Sequence, residues 1–159
     1  MSASFSTLEL SPHARQGEKD SSDIYKTERR FFDFVVDGVS IHEAMGRESD
    51  FASVLWINPP VPAEFDKALR RLLLLDPGDL PDGRVSLYIC PECGDLGCGA
   101  ITVDIKLRAD AIVWSKFGFQ NDHEETLFTD SFQQFGPYQF ELNRYRAVLL
   151  SSLPNDRSH

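Results

Sequence analysis

The chain is poor in sulfur and in positive charge, and it has no long apolar run. Its only cysteines are Cys90, Cys93 and Cys98, three among 159 residues and all within one short segment. A secreted disulfide scaffold would use an even number spread along the chain, so that class is excluded. Leu72 to Leu75 is as long as any unbroken apolar stretch, far below the roughly 20 residues of a bilayer-spanning helix. Lys and Arg number 16 against 25 Asp and Glu, a net charge of −9. That balance repels phosphate, which argues against nucleic acid as a partner, and it favours capture of a basic one. Also missing are a Gly-x-Ser-x-Gly elbow, a Walker loop and a dinucleotide fingerprint, so no hydrolase triad or nucleotide site is signalled. The first 23 residues carry no apolar core of the signal-peptide kind. With clustered thiols, this predicts a reduced, cytoplasmic protein.

What is present is an ordinary globular composition, 42% hydrophobic and 26% charged, long enough to bury a core without cross-links. Residues 1–23 are polar and predict a disordered or weakly ordered tail; 24–159 predict a single α+β domain. Phe31 to Val36 reads as a strand, Asp37-Gly38 as a two-residue hairpin turn, and Val39 onward as the return. Ser40 with Glu43 matches a capping box for a short helix ending at Gly46. Phe51 to Ile57 reads as a strand stopped by Asn58-Pro59-Pro60. Pro62 suits a helix start, Phe65, Leu69, Leu72 and Leu73 form one apolar stripe, and Asp76-Pro77-Gly78 is the predicted stop. Val85 to Ile89, Ile101 to Leu107 and Ala111 to Phe119 read as three strands of a meander. The middle one alternates cleanly enough to predict one face in the core and one in water. A short strand over Pro137 to Phe140 and a helix over Glu141 to Leu153 complete the pattern. The predicted fold is an antiparallel β-meander sheet with two main helices packed against it.

The segment Cys90-Pro91-Glu92-Cys93-Gly94-Asp95-Leu96-Gly97-Cys98-Gly99 joins two of those strands. A C-x-x-C turn brings two thiolates to one tetrahedral metal, so Cys90, Cys93 and Cys98 are candidate zinc ligands. No second knuckle is present. The fourth ligand would be His123, Asp95 or Glu92, with His123 preferred because imidazole suits zinc. Two other readings stand beside it. One is a glycine-rich hairpin in which the sulfurs only pack. The other is a redox dithiol, which lacks the following helix that lowers a thiol pKa. Asp104-Ile105-Lys106 resembles half of a metal-dependent nuclease strand, but the acidic charge and the lack of a basic groove favour a plain solvent-face pair on an alternating strand.

Asp122, Glu124 and Glu125, with Asp130 further on, read either as a plain solvated acidic loop or as a docking patch for a basic partner. If Val113, Phe117 and Phe119 face the core, Ile112 and Trp114 lie on the opposite strand face. One reading makes Trp114, and Trp56 with it, an exposed contact residue; the other has helices covering both sides of the strand. His13, His42 and His159 are isolated in sequence.

The stretches DPGDLPDGR, CPECGDLGCGAIT and WSKFGFQN between Asp76 and Asn121, with FGPYQFELNRY at 135–145, are similar to those of a family of small uncharacterised bacterial proteins with this type of cysteine loop. The resemblance brings no activity and no catalytic residue. It implies a bacterial stand-alone domain, and by analogy with other small acidic bacterial proteins an immunity- or antitoxin-type role. The function expected is a non-enzymatic protein-binding module for a basic protein partner. The alternative is a metal-binding or redox enzyme centred on the cysteine loop.

Overall fold

The computed structural model describes residues 5–15, 18–19, 24–26, 29–46, 51–58, 62–78, 80, 82–89, 99–120 and 132–152. The fold is α+β: antiparallel sheets with three helices among the described residues. β1 (Leu8–Arg15), β4 (Arg29–Val36), β5 (Val39–Ser40) and β7 (Trp56–Asn58) make one sheet, in which β4 pairs the other three. The five-stranded sheet has the order β11 (Tyr138–Glu141), β10 (Ala111–Gln120), β9 (Ala100–Arg108), β8 (Val85–Ile89), β6 (Ala52–Ser53). β2 (Glu18–Lys19) and β3 (Ile24–Lys26) pair with each other. No helix among the described residues is long and apolar enough to cross a membrane.

Several elements follow from local chemistry. Asp37 and Gly38 both take positive φ (52° and 82°), the requirement of the turn that matches strand twist. Ser40 caps α1 (Ile41–Ala44) by accepting the Glu43 N–H at 3.1 Å. In α3 (Leu142–Leu150) the capping acceptor is Glu141, which takes the N–H groups of Asn143 and Arg144. Leu69 and Leu72 of α2 (Pro62–Leu72) are buried, and Phe65 and Leu73 half-buried, as the stripe predicts.

α2 stops four residues before Asp76. Leu74 adopts φ +61°, its N–H bonds the Arg71 carbonyl, and the Leu75 N–H bonds the Arg70 carbonyl at 2.8 Å. These are the two bonds of a Schellman cap, here with leucine where glycine is favoured. Arg70 then clamps Asp76 through two bonds of 2.9 and 3.1 Å. The predicted strand at 51–57 is likewise split into β6 and β7, and its middle crosses from one sheet to the other.

Residues 8–15 correct the expectation of a tail over 1–23. They form β1, paired with β4 along all eight residues, and Leu8 is in the core. Their low apolar content hid a strand whose stability comes from its partner. Ahead of it, the Ser6 N–H bonds the Gln139 carbonyl at 2.7 Å, and Thr7 bonds Asp37 at both backbone and side chain. The N-terminal segment thus touches both large sheets.

One core runs from Leu8 to Leu149 and joins the two large sheets with α2 and α3. At its centre lies Trp114, fully buried, within 5.1–6.3 Å of the rings of Phe140, Phe34, Tyr145 and Phe117. Its indole N–H donates to the Tyr145 hydroxyl at 3.2 Å, which donates to the Leu72 carbonyl at 2.7 Å. That relay satisfies the indole and an otherwise orphan carbonyl at the end of α2. Trp114 is therefore no contact residue, which corrects the expectation of an exposed ring. The cause is a β-bulge between Ser115 and Gly118. It shifts the alternation by one residue, so Ile112 and Trp114 before it and Phe117 after it all face the core.

Candidate functional site

Strand register sets one end of the five-stranded sheet. Ala52 pairs Ile89, Ile89 pairs Ala100, and Ala100 pairs Gln120. Four strands therefore end level with one another. The cysteine segment begins after Ile89 and returns just before Ala100; the acidic segment begins after Gln120. Ile89 and Gln120 are two strand spacings apart, about 10 Å. His123 lies three residues beyond Gln120, a reach of at most about 10 Å. Topology thus roots both segments at one sheet end. The candidate ligands Cys90, Cys93, Cys98 and His123, and the candidate contacts Asp122, Glu124, Glu125 and Asp130, lie outside the described residues. Among the described residues no cluster of three or more His, Cys, Asp or Glu is placed to hold a metal.

Gly99 fastens the two loop roots together. Its φ is +101°, and a Cβ there would overlap the Phe119 ring. Phe119 in turn meets Phe51 edge-on at 6.4 Å, so the floor is continuous from β10 to β6.

Behind this end lies a polar network that the sequence did not signal. Arg84, only 6% exposed, donates Nε to Thr102 Oγ1 and Gln120 Oε1, and Nη2 to the carbonyls of Thr102 (3.0 Å) and Lys116. Gln120 reaches on to Asp82 Oδ2 at 3.1 Å. Burial pulls the guanidinium pKa down, and Asp82 and Asp104 oppose it. The network explains why Thr102 is buried although its strand face was expected in water: the arginine folds across it. Asp104 and Lys106, beyond that cover, form an outward ion pair at 3.4 Å, as the exposed-pair reading expects.

The second cluster unites residues scattered in sequence. Asp33, 1% exposed, accepts bonds from Tyr88 Oη at 2.6 Å, Ser40 Oγ at 2.5 Å and the Phe34 N–H at 2.8 Å. His42 donates Nε2–H to the Phe51 carbonyl at 2.7 Å and stacks on Tyr88 at 5.7 Å. His13 meets the His42 ring edge-on at 5.1 Å and lies 3.7 Å from Glu43. Burial, then the Asp33 charge and hydrogen bond, push the Tyr88 hydroxyl well above its usual range. Asp33, Tyr88 and His42 point inward and reach no solvent, so the cluster works as a clamp between β4 and β8. Its one sequence signal was an aspartate inside the apolar run Phe31 to Val36.

No protein-family model matches the chain, and no curated protein or solved structure matches it either.

Proposed function

We propose that the chain is a non-enzymatic protein-binding module of immunity or antitoxin type, acting in the cytoplasm on a basic protein. The observation that carries this reading is the shared register of Ile89, Ala100 and Gln120. The segment that holds Asp122, Glu124, Glu125 and Asp130 starts from the same sheet end as the cysteine segment, and Arg84 and Gly99 brace that end. A net charge of −9 speeds the encounter with a basic surface, and local carboxylates fix its orientation. The test uses wild type and the Glu124→Lys/Glu125→Lys double variant as baits, with captured proteins identified and titrated by calorimetry at low and high salt. The expected result is a basic protein whose affinity falls as salt rises and is at least about tenfold weaker for the variant. Capture of no basic protein, or equal affinity for the variant, removes the acidic segment from the contact.

The same register favours a second reading, a zinc clasp of Cys90, Cys93, Cys98 and His123, either structural or the centre of a metal or redox enzyme. Elemental analysis of tag-free protein, with a count of reactive thiols, tests it. About one zinc per chain with protected thiols is the expected result. Three ordinary thiols and no metal would leave a glycine-rich hairpin.

A further inference from the structure

The bulge in β10 does more than turn Phe117 inward. It leaves Lys116 at φ +59°, a left-handed conformation that a lysine adopts only when its surroundings impose it. The imposition is visible. Arg84, a buried cation, donates to the Lys116 carbonyl while Thr102 and Gln120 hold the guanidinium in place. A bulge alone would bury Phe117 equally well with glycine at 116, the residue this conformation favours. The lysine side chain is exposed and has no ion-pair partner among the described residues.

Lys116 opens onto a pocket of about 390 Å³, walled by Phe117, Phe132, Phe135 and Pro137. Phe117 and Phe135 pack at 5.7 Å and Phe132 and Phe135 at 6.3 Å, which makes an aromatic floor. Ser115 and Gln133 add polar groups to the lining, and among the described residues none that lines the pocket is acidic. The volume lies within the range of small-molecule sites, about 300–1,000 Å³.

We propose that this pocket binds a small planar monoanion, an aromatic carboxylate, with its ring against the phenylalanines and its carboxylate on the Lys116 ammonium. One cation at the rim selects a single negative charge, and the aromatic floor selects a flat apolar body. The net charge of −9 repels anions at a distance, so recognition depends on the direct lysine contact.

Benzoate and phenylacetate serve as probes and benzamide as the neutral control, each titrated into ¹⁵N-labelled full-length protein. Saturable shifts are expected at the amides of Lys116, Phe117, Gln133 and Gly136, with benzamide binding about tenfold more weakly, the loss of one charge contact. Lys116→Met should bring benzoate down to the level of benzamide. Lys116→Gly accepts the same φ, keeps the fold, and should lose benzoate to the same extent. The proposal is overturned by either of two results. One is no saturable shift up to about 10 mM acid, the weak end of measurable affinity. The other is wild-type benzoate affinity in both variants.

Discussion

Trp114→Ala is expected to destabilise the protein by about 3–5 kcal/mol, the range for removing a large aromatic side chain from a packed core. The ring is completely buried among Phe34, Phe117, Phe140 and Tyr145. Its loss also leaves the Tyr145 hydroxyl without its indole donor, although that hydroxyl keeps the Leu72 carbonyl as an acceptor. Trp114→Phe retains most of the packing and should cost clearly less. Urea unfolding followed by circular dichroism measures both. A loss under about 1 kcal/mol for the alanine variant is what an exposed surface ring would give, and it would contradict the bulge-shifted register of β10.

Asp33→Ala is expected to cost about 2–4 kcal/mol. Three donors lose their acceptor, two of them buried (Tyr88 Oη and the Phe34 N–H) and one half-buried (Ser40 Oγ), and a buried donor left unpaired costs about 1–3 kcal/mol. Removal of a buried charge relieves its own desolvation and offsets part of that sum. Tyr88→Phe should cost less, because the Asp33 carboxylate keeps Ser40 and the Phe34 N–H. A double-mutant cycle between the two should give a coupling within the range of about 0.5–3 kcal/mol found for contacting residues. Additive losses would mean that the 2.6 Å contact contributes nothing.

The same pair sets an alkaline limb. The folded Tyr88 pKa lies above its ordinary value of 10.0. Its contribution is thus fully present below about pH 10, and it is lost as pH rises from there towards the folded pKa, because the unfolded chain releases the proton first. Tyr145 is shifted in the same direction by burial. Tyr88→Phe should flatten the decline in stability above pH 10.

Local chemistry was readable wherever a few adjacent residues decide the outcome. Asp37-Gly38 turns the first hairpin, Ser40 caps α1, and the meander from Val85 to Gln120 has the predicted order. Alternation alone misleads at Trp114, because Phe117 and Phe119 lie beyond one inserted residue that inverts the phase. The end of α2 was misplaced for a related reason: Leu74 takes the conformation expected of glycine, and nothing in its side chain announces that. β1 was missed because its strand character depends on β4. The Asp33 clamp joins residues more than fifty positions apart, and the Arg84 network likewise draws on three separate strands or turns. No window of sequence contains such information. The loop constellations read from the sequence rest on 90–98 and 121–131, outside the described residues, and only their shared root is visible.

The bond from Ser6 to Gln139 has a temporal meaning. On the ribosome the segment holding Ser6 emerges well before its partner strand β11. The hairpin of β4 and β5 and the meander can close early from neighbours in sequence. The seam joining the first sheet to the far edge of the second must wait until the strand holding Gln139 has been made. Such a non-local contact rewards the chain last in folding, so the edge of β11 stays open on the nascent protein until the N-terminal segment docks against it.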